Sequence, residues 1–222
     1  MDSPGIFQKT YQKDYKRLYY SEENASLKVP ITLQAGYGLI EAGTALAKNN
    51  SAAATRLGYF VPYDPTATIT GAETAPGRAY LVQDSGTTAS DLYVTIADSY
   101  KFAVGDDVII VDNDTAAENL GAITAIDRTT YTHMAKITVT VATGGTSFTT
   151  ADFAYIVVEG YDTCVGILEK SVDTGTGANA NGANATLILG NCVLYTGSLI
   201  NLDSAAKTDL AATAFGIYTY MK

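Results

Sequence analysis

Phe102-Ala103-Val104-Gly105-Asp106-Asp107-Val108-Ile109-Ile110 decides how this chain is read. Its apolar start packs inward, Gly105-Asp106 makes a turn, and a Val/Ile strand follows, as in a small β-barrel. Neighbouring runs repeat the theme. Strands are expected at 79–82, 92–96, 107–111, 122–127, 136–141 and 155–158, separated by Asp84-Ser85-Gly86, Asp112-Asn113-Asp114 and Gly144-Gly145. Five or six strands of this length can close on one another and leave no free edge.

Charge marks the same segment. The chain carries a net −9, and residues 73–160 hold −8 of it, with twelve acidic residues against four basic ones. Residues 73–160 are therefore read as an inserted acidic β-barrel domain. The acidity reads as a solvated face. It also argues against binding nucleic-acid phosphates.

Outside the insert, 31–72 and 161–222 form one discontinuous β core. Ile31-Thr32-Leu33 alternates, Gly36, Gly38 and Gly43 punctuate, and Leu57-Gly58-Tyr59-Phe60-Val61-Pro62-Tyr63-Asp64 closes in a turn marked by Pro62, Asp64 and Pro65. Further strands are expected at 164–170, 185–189, 191–195 and 215–220, with a flexible Gly/Asn/Ala loop over 175–182. One short C-terminal helix is expected over 203–212, with Ser204 as its cap. The fold class is thus all-β, mainly strands with that one helix.

Residues 1–30 form an N-terminal arm. Phe7, Tyr11, Tyr15 and Tyr19 recur every four residues among Lys9, Lys13, Lys16 and Arg17. Both a helix with an aromatic stripe and an extended arm laid on a partner fit this spacing.

Composition sets further bounds. Hydrophobic residues reach 47 % and charged ones only 17 %, which excludes a disordered, charge-rich chain. Tyrosines outnumber phenylalanines 16 to 6, which suits half-buried strands and interfaces. No apolar run approaches the roughly 18 residues of a membrane span. Met1-Asp2-Ser3-Pro4 does not open a secretory signal, so folding in a reducing cytoplasm is expected. Cys164 and Cys192 fit neither a disulfide framework nor a CxxC metal site; two buried thiols are the default, with a bridge open if their strands pair.

Catalytic chemistry is not visible. The single histidine, His133, reads as a surface or barrel-rim residue and cannot build a zinc site with two distant cysteines. No GxSxG, HExxH, P-loop or dinucleotide fingerprint occurs. Asp112, Asp114 and Glu118 have a partial calcium-loop spacing, but Ala116 and Ala117 replace the oxygen ligand and glycine such a loop needs. No cofactor, metal or catalytic residue is expected.

The flanking segments carry a family likeness. Leu33-Gln34-Ala35-Gly36-Tyr37-Gly38-Leu39-Ile40-Glu41-Ala42-Gly43-Thr44-Ala45-Leu46-Ala47-Lys48 resembles the glycine-punctuated run of lambda-type head-decoration proteins of tailed phages. Tyr59-Phe60-Val61-Pro62-Tyr63-Asp64-Pro65 resembles the Val-Pro-Tyr stretch that follows it there. Val165-Gly166-Ile167-Leu168 resembles their Gly-Ile-Leu strand. Residues 187–195 and 203–212 fall where the last strand and helix would. The likeness covers 31–70 and 161–222, about half the chain; short family members lack the insert.

That resemblance implies a capsid decoration, or cement, protein that is no enzyme. It would stabilise the major capsid protein lattice from outside, as a homotrimer on the virion surface, after synthesis in the host bacterial cytoplasm. The arm residues Phe7, Tyr11, Lys13, Tyr15, Arg17 and Tyr19 would bind the capsid. Neither nucleic acid nor membrane is an expected partner. The alternatives are a receptor- or glycan-binding virion protein, a tail or baseplate component, and an acid-catalysed hydrolase.

Overall fold

Alternation builds several of the longer strands of this protein. A computed structural model describes residues 18–21, 26–51, 56–64, 77–112, 117–213 and 218–221. After β1 (Tyr19–Ser21), β2 (Leu27–Leu33) turns Ile31 and Leu33 inward while Lys28 and Pro30 stay exposed. β3 (Leu39–Ile40), β4 (Ala45–Lys48) and β5 (Phe60–Pro62) complete the first half of the core. The insert supplies β6 (Ala79–Tyr80), β7 (Asp91–Thr95), a short helix α1 (Ile96–Ser99), β8 (Asp107–Val111), β9 (Ala117–Asp127), β10 (Met134–Val139) and β11 (Tyr155–Val158). The chain ends with β12 (Cys164–Leu168), β13 (Val172–Asp173), β14 (Ala183–Gly190), β15 (Cys192–Tyr195), α2 (Ser204–Ala212) and β16 (Tyr218–Met221).

Five strands close into a barrel in the order β12-β14-β2-β5-β4, shut by β4 pairing back onto β12. All its pairs are antiparallel except β2 with β5, where Leu33 meets Phe60. Val29-Pro30, read as the end of the arm, lies inside β2: Pro30 pairs with Thr186 and Val29 with Leu187.

The insert forms a six-stranded sheet, β6-β11-β8-β9-β10-β7. Its two edge strands meet through a Leu81–Val94 bridge, so this sheet also curls nearly shut. β9 makes the corner. Its first half pairs with β8, its second half with β10, and the bulge opposite Val108/Ile109 with Gly121 at φ +65° bends it between them. β11 is buried on both faces. Ile156 and Val158 join the main core, while Tyr155 and Val157 pack with Val111 and Tyr161 in a second cluster.

Buried apolar residues of both barrels form one continuous cluster, from Leu33, Leu46 and Ile188 to Val94, Ile110 and Ile137. β1, β15 and β16 form a separate three-stranded sheet, and β3 pairs with β13.

Helix capping changes two local expectations. The strand expected over 92–96 stops at Thr95, because the Thr95 hydroxyl accepts the Asp98 N–H at 3.0 Å and caps α1. The C-terminal helix is capped by Asp203 rather than Ser204: the Asp203 carboxylate accepts the Ala206 N–H at 2.7 Å. That helix buries Ala206 and Leu210. Asp209 ties it to the barrel by accepting the Cys164 N–H at 2.9 Å.

Candidate functional site

The sequence suggests an N-terminal arm as the place of the binding residues. Of these, Phe7, Tyr11, Lys13, Tyr15 and Arg17 lie outside the described residues. Tyr19 lies in β1, extended rather than helical, and half-buried. Its hydroxyl reaches Glu169 Oε1 at 3.5 Å, and Lys28 Nζ sits 5.1 Å from its ring centroid. Lys28 and Glu169 form an ion pair beside it. That hydrogen bond to Glu169 raises the Lys28 pKa, while burial raises that of Tyr19.

The start of β1 is firmly seated. Leu18 is buried, its carbonyl accepts the Tyr195 N–H at 3.1 Å, and β1 runs antiparallel to β15. Gly43 makes room there: it holds φ +88°, and a Cβ would stand 2.1 Å from the Ser198 carbonyl oxygen. Residues 1–17 therefore lead directly into an anchored strand. That strand lies at one edge of its sheet, and β16 lies at the other.

A second constellation joins the barrels. Asp106, from the turn that opens β8, is fully buried. Its carboxylate accepts the Ala103 N–H at 2.8 Å, Gln34 Nε2 at 3.4 Å and Asn49 Nδ2 at 3.3 Å. Asn49 also donates to Gln34 Oε1 at 3.0 Å, and Gln34 donates to the Lys101 carbonyl at 2.6 Å. Burial raises the Asp106 pKa, against the Ala103 hydrogen bond and the Arg56 charge, which lower it. Nearby, Arg78 grips Asp64 with two bonds, 2.6 and 2.9 Å, with both side chains buried. The Arg78 guanidinium lies 4.2 Å from the Tyr155 ring centroid. Although burial opposes it, the bond to Asp64 and that group's charge hold the Arg78 proton more tightly than usual. These groups act as a structural clasp between the two halves.

The remaining candidates lie elsewhere in the fold. His133 is exposed in the bend just before β10. Glu118 accepts the Gly144 N–H at 2.7 Å, Asp112 is buried, and Asp114 lies outside the described residues. Among the described residues, no three His, Cys, Asp or Glu side chains converge as a metal would need. No described helix is long and apolar enough to cross a membrane. Cys164 and Cys192 are free, buried thiols. Burial pushes their pKa values up to about 12 and about 11.

Sequence reasoning missed Arg56 and Arg128. Both line a cavity of about 340 Å³ between the barrels. No periodicity marks them, because they come from separate parts of the chain and only the barrel packing brings them together. No protein-family description, curated protein or solved structure matches this chain.

Proposed function

We propose that this chain is a structural virion protein that binds the outer face of a tailed-phage capsid and stabilises the major capsid protein lattice. One observation carries the reading. The runs that resemble head-decoration proteins are scattered through the sequence, yet they fold into one unit. Residues 33–48, 59–65, 165–168 and 187–195 contribute to all five strands of the closed barrel, and 203–212 spans α2, which packs on β12. The acidic insert builds its own sheet.

The mechanism is additive binding. Residues 1–17, with Phe7, Tyr11, Lys13, Tyr15 and Arg17, supply rings and positive charge that lie in grooves of the shell, and Tyr19 continues from them into the anchored β1. A homotrimer multiplies modest contacts. A protein that binds only the mature lattice stabilises it by linkage. The insert faces solvent, where its negative charge keeps particles apart.

The test is to add purified protein to capsids stripped of it and heat them. The full chain is expected to bind and to raise the temperature of shell disruption. A version lacking residues 1–17 should bind much more weakly; the cut stops there because 27–30 belong to the barrel. Full binding by the truncated chain removes the clamp. No binding by the intact chain removes the proposal.

A further inference from the structure

The cavity between the barrels is unusual for so acidic a chain. Its charged lining is Arg56 and Arg128, with Tyr100, Val104 and Ile126 beside them. Arg128 is fixed in place: Nε donates to Ser99 Oγ at 2.8 Å, Nη2 to the Ser99 carbonyl at 2.9 Å, and its guanidinium lies 4.3 Å from the Tyr100 ring centroid. All its partners are neutral. Among the described residues no carboxylate pairs with it. Asp98 is engaged with Lys101 and Thr95, and Asp127 with Thr129 and Thr130.

Arg56 donates to the Lys101 carbonyl at 3.3 Å and stands 3.9 Å from Asp106, whose oxygens already accept three other donors. The two guanidiniums feel each other. Burial first, and the Arg56 charge in addition, lower the Arg128 pKa. Two positive charges thus face one cavity, with one buried carboxylate, Asp106, behind Arg56. The excess of one positive charge matches a monoanion better than a dianion. Planar guanidiniums match the two oxygens of a carboxylate. Val104 and Ile126 add an apolar wall.

We propose that this cavity binds a small organic carboxylate, with its acid group between Arg56 and Arg128 and its apolar body against Val104 and Ile126. The site holds whether or not the chain decorates capsids. A bound acid would neutralise the repulsion between the two arginines and so brace the junction of the barrels.

Benzoate is the probe, titrated into the full-length protein by calorimetry, with benzyl alcohol and inorganic phosphate as controls. Benzoate is expected to bind, more weakly as salt rises, and benzyl alcohol and phosphate to bind far less. Arg56→Gln should weaken benzoate by about tenfold or more. Val104→Glu offers a tethered carboxylate to the same arginines and should block benzoate equally. Val104 is 56 % exposed, so that variant keeps its fold if Arg56→Gln does not. Absence of benzoate binding overturns the proposal. So do benzyl alcohol or phosphate binding as tightly as benzoate, and benzoate affinity unchanged in Val104→Glu.

Discussion

Gln34 and Asp106 meet across the junction of the two barrels, with Gln34 Nε2 3.4 Å from Asp106 Oδ2 and both side chains fully buried. Asp106 is the acceptor of this network, and its neighbours Gln34 and Asn49 are donors. Asp106→Asn turns one acceptor oxygen into an N–H₂ group that faces a donor. A buried donor left unpaired costs about 1–3 kcal/mol. Urea unfolding should show a loss of that size, and an unchanged midpoint would mean the network carries no stability.

The same residue gives a pH dependence. Burial raises its pKa in the fold, so the folded protein keeps the Asp106 proton to higher pH than the unfolded chain, where a carboxyl titrates at about 3.9. Its contribution is whole below the unfolded value and is lost as pH rises through the folded one. The stability of the wild type relative to Asp106→Asn is therefore expected to fall as pH rises from about 4, then level off. Asp84, Asp91 and Asp127, whose hydrogen bonds lower their pKa values, act in the opposite sense but equally in both proteins. Unfolding curves of the pair across that range check it. A difference that grows with pH would be the wrong sign.

Asp64 and Arg78 form the second clasp, and both are buried. Asp64→Asn removes the Asp64 charge from the guanidinium at the face of Tyr155. Breaking one side of a buried pair costs about 3–5 kcal/mol. Asp64→Asn and Arg78→Leu combined should lose less than the sum of the two single changes, as a double-mutant cycle would measure.

Gly36→Ala is expected to loosen the junction. Gly36 holds φ +95°, and a Cβ there would stand 2.7 Å from the backbone of Tyr100 and Lys101. The left-handed conformation alone costs about 1–2 kcal/mol for a residue with a Cβ, and the clash adds to it. Faster amide exchange around 100–106 than in the wild type is the readout; equal exchange would contradict the tight approach.

Cys164 and Cys192 should resist alkylation in the folded protein, because their burial both blocks reagents and disfavours the thiolate. Mass spectrometry after iodoacetamide at neutral pH is expected to show no label natively and two labels in denaturant. Rapid native labelling of either would show that its strand opens readily.

Strand and helix positions were largely legible. Leu92 with Val94, and Ala135 with Ile137 and Val139, alternate in the sequence and point inward in the fold. The Asp203-Ser204 start and following alanines foretold α2. The partner of each strand was not legible. Nothing in Leu33 or Phe60 announces a parallel contact, and β15 with β16 is parallel too. Of the arm residues, Tyr19 lies in β1, whose place depends on β15, far along the chain.

By itself, the sequence determined that this is an all-β chain with an acidic inserted segment and one C-terminal helix, because burial of alternate residues and helix capping are local events. Only the tertiary structure decided how one sheet closes and the other curls nearly shut, that their apolar cores merge, and that Arg56 and Arg128 face one cavity. Those outcomes depend on packing between residues distant in sequence, and no local pattern encodes which distant backbone will arrive beside another.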